Sequence, residues 1–220
     1  MPDPATCGKP PQPMDLLATV DGVSCGLSCF AILADYLRAA FLFYSPQRGQ
    51  NPMSLSLYDV SVPAFLRGFA NLTEILKKGE AFADEKGIAH KEFLEARLIE
   101  DMLPLTGQIQ RASDSAKFVP VRIGGVENVA MADEEVTFAD LHARIEKTVA
   151  FLKEVVPASM ADREDIEVVL KNRSGEMTFS GKDYVLGFAL PNFYFHATTA
   201  YAILRHKGVP VGKMDYLGRP

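Results

Sequence analysis

From Val62 onward, apolar residues recur at steps of three and four: Val62, Phe65, Phe69, Leu72 and Leu76, with Leu66 and Ile75 beside them. That spacing marks one face of an α-helix turned toward a core. Ser61 is placed to cap its start, Pro63 suits a first turn where its missing N–H costs nothing, and Gly87 suits the end. A second stripe, Leu98, Met102, Leu105, Ile109, Ala112 and Ala116, predicts a helix from about His90 to Phe118 that bends at Pro104. Pro120, Gly124 and Gly125 belong to the loop expected after it. A third helix starts at Thr137 as N-cap and carries Phe138, Leu141, Ile145, Leu152 and Val155 before Pro157. Three amphipathic helices need a fourth partner to cover their apolar faces.

Between Glu164 and Ser180 the period changes from helical to alternating. The runs 166–170 and 176–179 flank Asn172-Arg173-Ser174-Gly175, a turn-rich quartet, and predict a β-hairpin leaning on the helices. A last helix runs from near Ser180 to His206 and closes with Gly208 and Pro210. Its stretch from Tyr184 to Leu204 has no formally charged side chain. The length would cross a bilayer, but Pro191, Asn192, His196, Thr198 and Thr199 interrupt it. The centre of a bundle or a contact between subunits is the better expectation. The fold class expected is all-α: a four-helix bundle with a small β-hairpin before the last helix.

Residues 1–52 differ from the remainder. They hold all three cysteines and half of the 14 prolines, but no glutamate and one lysine, Lys9. We expect an N-terminal extension there, disordered or the product of a mis-assigned start upstream of Met53, and a bundle domain over 53–220. Leu27 to Tyr44 is mostly apolar, yet Asp35 and Arg38 break it, and the chain lacks the basic start of a secretory signal. Cys25 and Cys29 have a three-residue spacer, unlike the two-residue spacer of common zinc and redox motifs.

Composition narrows the function classes. A net charge of −5 over 220 residues gives no basic footprint for nucleic acid. Three cysteines are too few for a disulfide scaffold, which fits a cytoplasmic, reducing setting. No membrane partner is expected. There is no Gly-rich phosphate loop, nucleophile elbow or Cys-x-x-Cys pair.

Candidate chemistry lies where polar residues interrupt inward faces. Asn192 and His196 are one turn apart, and Val185, Ala189, Thr199 and Ile203 extend their face. Asp101 and Gln108 sit beside Leu98 and Leu105 in the second stripe. Buried without partners, each would be costly, so we expect Asp101 to meet Asn192 and His196 across the bundle, with Gln108 and Thr199 lining the same pocket. Three readings stay open: a metal site of carboxylate, imidazole and amide oxygen; a general-base pair in which Asp101 orients His196; and a mutually satisfied structural cluster, with Asp101 on His196 or on Arg97. The last is favoured, because buried polar groups are normally paired. His90, His142 and His206 are expected at the surface.

The stretches 57–63 (Leu-Tyr-Asp-Val-Ser-Val-Pro), 97–105 (Arg-Leu-Ile-Glu-Asp-Met-Leu-Pro-Leu), 187–196 (Gly-Phe-Ala-Leu-Pro-Asn-Phe-Tyr-Phe-His) and 200–210 (Ala-Tyr-Ala-Ile-Leu-Arg-His-Lys-Gly-Val-Pro) resemble an uncharacterised bacterial domain-of-unknown-function family. That family is grouped with the DinB/YfiT-like metalloenzymes, and the likeness spans 53–220. It implies a DinB-like four-helix bundle, a homodimer, and a metal pocket for zinc or nickel. It also implies a metal-dependent enzyme such as a transferase acting on a low-molecular-weight thiol. In register with the wider group's three-histidine site, Asn192 and His196 fall on its two last-helix histidines, and Asp101 is the candidate second-helix ligand. One histidine of three is therefore kept. The alternative is a non-catalytic dimeric bundle that binds a small ligand and has lost the metal site.

Overall fold

The structure, a computed structural model, describes residues 55–172 and 175–218. The expectations for 1–52, including the cysteine pair and the start at Met53, lie outside those residues. Four long helices form the bundle: α1 (Leu57–Lys86), α3 (Leu105–Gly124), α4 (Phe138–Lys153) and α6 (Leu190–His206). Short helices α2 (His90–Leu94), α5 (Gly181–Asp183) and α7 (Lys213–Leu217) join or flank them. α3 lies along both α6 and α4, while α1 packs on α4, α6 and α7. The hairpin of β1 (Glu167–Asn172) and β2 (Gly175–Ser180) is antiparallel, with Val168 opposite Phe179 and Leu170 opposite Met177. Among the described residues no helix is long and apolar enough to cross a membrane.

The predicted stripe of α1 is its buried face, from Val62 through Phe65, Phe69 and Leu72 to Leu76. Its start differs from expectation. Ser56, not Ser61, is the N-cap, and it forms a capping box with Asp59. The Ser56 amide and hydroxyl both donate to Asp59 Oδ2, which holds that carboxyl below its ordinary pKa. Ser61 instead donates its hydroxyl to the Leu57 carbonyl one turn back. Pro63 thus lies inside the helix, on its exposed side. A carbonyl left without its amide partner there can be hydrated.

The second predicted helix is two helices. Residues 95–104 leave the helical path after Leu94, and Pro104, extended at φ −68° and ψ 170°, is the N-cap of α3. A proline disfavours helical geometry in the residue before it, so what the stripe suggested as a bend is a break. The break is tied off locally: the Leu105 amide donates to the Ala96 carbonyl (3.0 Å) and Arg97 Nη1 to the Met102 carbonyl (2.5 Å). Leu98, counted in the stripe, is 40 % exposed, whereas Leu105, Ile109, Ala112 and Ala116 are core. α3 also runs past Phe118, through buried Pro120, to a left-handed cap at Gly125.

α4 begins as predicted, with Thr137 and Asp140 in a capping box. Its Arg144 is an unanticipated feature: a guanidinium with a 2 % exposed side chain. It meets Glu135 Oε1 at 2.7 Å, Asp133 Oδ1 at 3.0 Å and Asp114 Oδ1 at 3.5 Å, and donates to the Ala132 carbonyl (3.0 Å). Three carboxylates and a carbonyl hold the buried charge and pin the 125–136 connection to the bundle.

The last helix starts at Ser180, whose hydroxyl accepts from the Asp183 amide (3.1 Å). Gly181 lies so close to the Arg163 carbonyl that a β-carbon would collide with it. Tyr184–Ala189 is a π-helical stretch in which the Leu190 amide donates to the Val185 carbonyl, and α6 follows without interruption. Pro191, with no N–H to give, stands just after it.

Candidate functional site

The polar residues of α6 have unequal roles. Asn192 Nδ2 donates to the Phe188 carbonyl (2.7 Å), and Thr199 Oγ1 donates to the Phe195 carbonyl (2.8 Å). Both side chains therefore serve the helix's own backbone. His196 alone of the three reaches across to another helix: its Nδ1 donates to Gln108 Oε1 on α3 (2.8 Å).

Gln108 is in the first turn of α3, fully buried, and its Nε2 donates to the Leu103 carbonyl (2.9 Å). That bond orients the amide, so Oε1 faces the imidazole and Nδ1 must carry the proton. The Nε2 lone pair of neutral His196 is left without a protein partner among the described residues. Burial, and secondarily the Arg111 cation one turn along α3 from Gln108, hold the His196 pKa below its ordinary value. An amide partner offers no charge to stabilise an imidazolium, so the ring stays neutral at pH 7.

Asp101 is not the group that meets His196. It stands exposed in the segment between α2 and α3, off any helix, because the break at Pro104 removes it from the inward stripe. Arg97, its other expected partner, donates to the Met102 carbonyl. A metal would thus find one imidazole nitrogen and an amide whose nitrogen is bound to its own helix. Among the described residues no three His, Cys, Asp or Glu side chains are grouped to hold a cation. That donor set does not fit zinc or nickel. The other histidines lie away from this contact. His90 Nε2 meets Asp84 (2.8 Å) and His206 is exposed; His142, expected at the surface, is largely covered and lies 3.8 Å from Glu80.

A cavity of about 330 Å³ opens on the other flank of α6, between α1, α6 and α7. Leu72, Ile75 and Phe193 form its apolar floor, and Arg67, Asn71, Tyr194 and Tyr216 supply its polar groups. The C-terminal segment is its wall. Arg67 Nη2 donates to the Leu217 carbonyl (3.2 Å), Asn71 Nδ2 to the Tyr216 carbonyl (3.0 Å) and Thr198 Oγ1 to Tyr216 Oη (2.9 Å). Lys78 and Asp215 close the same contact at 2.6 Å. Gly68 permits the close approach of Phe193: a β-carbon there would lie 2.5 Å from the ring. Burial pushes the Tyr194 phenol up from its ordinary pKa, Tyr216 adds to that and Arg67 opposes it, so the hydroxyl stays protonated at neutral pH. Leu72 and Ile75 belong to the predicted α1 stripe, but the polar contacts with the C-terminal segment were not visible beforehand. The usable signal is the Arg67–Asn71 pair, one turn apart beside the α1 core stripe.

Comparison with known proteins agrees with this architecture. The model of a domain of unknown function, DUF1993, matches residues 57–217. A crystal structure of a DinB family member protein from Shewanella denitrificans is similar over 74 % of this chain and 93 % of its own, at 38 % identity and a TM-score of 0.71. No curated protein matches the chain significantly. The chain belongs to the DUF1993 family, a DinB-like domain of unknown function.

Proposed function

We propose that this protein is a non-catalytic helical bundle that binds a small molecule in the α1–α6–α7 cavity, in place of the metal-dependent thiol transferase that the wider group suggests. The observation that carries it is the cavity itself: about 330 Å³, apolar at its base, with a few convergent polar groups at its rim. Volumes of that order and such a lining are usual for ligand pockets. The His196–Gln108 contact supports the same reading from the other side. It leaves the imidazole with a neutral partner and, among the described residues, no second ligand, a poor start for Lewis-acid or strong general-base chemistry.

The test has two arms. Thermal-shift screening of small apolar molecules should give hits that Ala64→Trp, which fills the cavity, abolishes. No hit across a broad set would overturn the reading. Zinc or nickel added to tag-free protein should be retained far below one equivalent, and equally by His196→Ala. Stoichiometric metal lost in His196→Ala would restore the transferase reading.

Self-association is part of the proposal. Leu98, Met102, Tyr194 and Phe195 line an apolar groove at the junction of the 95–104 segment and α6, and Phe195 is 54 % exposed. Apolar surface of this kind is common at subunit contacts. A homodimer in sedimentation that Phe195→Glu converts to monomer is the expected result; a monomeric wild type would remove it.

A further inference from the structure

The cavity's chemistry specifies more than size. Of the described residues that line it, Arg67 carries the one formal charge, and no Asp or Glu is among them. Arg67 has no carboxylate partner among the described residues; its one hydrogen bond goes to the neutral Leu217 carbonyl. A guanidinium has five donors in a planar fork, so that single bond leaves most of them unused. Tyr194 and Tyr216 bring hydroxyls to the same rim, and the Tyr194 proton is retained at neutral pH. Opposite them, Leu72, Ile75, Phe193 and Ala197 offer only carbon.

We infer, resting on the cavity reading above, that the ligand is an amphipathic monoanion: a small apolar body carrying one carboxylate, with the carboxylate on Arg67 and the body against Phe193 and Ile75. The volume suits a molecule of about a dozen non-hydrogen atoms. A cationic ligand is disfavoured by Arg67. A polyanion is disfavoured too, since a second charge would meet the apolar floor without a partner. Arg67 is exposed, so its contribution is moderate and sensitive to salt.

Three probes of one skeleton separate the charge inference from the cavity reading: 4-phenylbutyrate, 4-phenylbutan-1-ol and 4-phenylbutylamine, titrated calorimetrically into the full chain. Wild type should bind the carboxylate roughly three- to tenfold tighter than the alcohol, and the amine most weakly. Arg67→Gln should erase the carboxylate–alcohol gap while leaving alcohol affinity within about twofold, and 0.5 M NaCl should narrow the gap in wild type. Equal or tighter binding of the alcohol, or a carboxylate preference that survives Arg67→Gln, overturns the inference and leaves the cavity reading standing. Binding of none of the three at millimolar concentration overturns both. The salt and amine comparisons need only wild-type protein, so they decide the matter even if Arg67→Gln loosens the C-terminal segment.

Discussion

Arg144 and His196 are both polar side chains drawn into the bundle, and the protein treats them differently. Arg144 is surrounded by Asp114, Asp133, Glu135 and a backbone carbonyl, so its charge persists inside the fold. His196 has one neutral amide and a nearby cation, so its charge is suppressed. The two environments mark which site is built for electrostatics. Carboxylates converge where a loop has to be fastened, and among the described residues none converges on the imidazole that fold-level likeness would make a catalyst.

The largest effect expected from breaking this contrast is at Arg144. Arg144→Ala strands partly covered carboxylates and releases the 125–136 connection, at a cost of about 3–5 kcal/mol in urea denaturation. A loss under about 1 kcal/mol would mean that the cluster is hydrated and dispensable. Gln108→Leu removes the imidazole's partner and the bond to the Leu103 carbonyl together, and should cost about 1–3 kcal/mol by the same measurement.

Gln108→Glu probes the contrast directly, by giving His196 the carboxylate it lacks. NMR titration should move the His196 pKa from below its ordinary value to above it. A value that stays depressed would show that burial and Arg111 outweigh an adjacent charge. In wild type the sign of the pH effect follows from the depressed value. The unfolded chain takes up a proton near pH 6.5, while the folded imidazole resists protonation. The His196 contribution to stability is therefore fully present above about pH 6.5 and declines below it, and His196→Gln should flatten the melting temperature between pH 5 and 6.5 relative to wild type. The smallest effect is expected at Asn192, whose amide serves its own helix: Asn192→Ala should change stability by no more than about 0.5 kcal/mol.

How much of this was legible in the sequence depends on the range of the interactions. The α1 stripe, the Thr137 cap, the hairpin and the Ser180 start all follow from periodicity or from contacts within a few residues. Gln108 was legible as a polar residue in an inward stripe. Asp101 misled because Leu98 and Met102 happen to continue the spacing of Leu105 and Ile109 across a proline that ends the helical path. Pattern alone cannot distinguish a bent helix from two helices in line. Arg67 and Asn71 stayed unnoticed for another reason. Their role depends on Tyr216 and Leu217, nearly 150 residues away, returning to cover them. A charged residue at the edge of an amphipathic helix is ordinary until that return is known.

The π-helical stretch at Tyr184–Ala189 governs the orientation of everything beyond it. A π turn closes its hydrogen bond over one residue more than an α turn, and one residue corresponds to about 100° of rotation. Were these six residues wound as plain α-helix, the downstream cylinder would swing by about that angle, carrying His196 away from Gln108 and Tyr194 away from Arg67. One surplus residue therefore phases both flanks of α6 at once, so an insertion or deletion there would scramble the interior contact and the cavity in a single step.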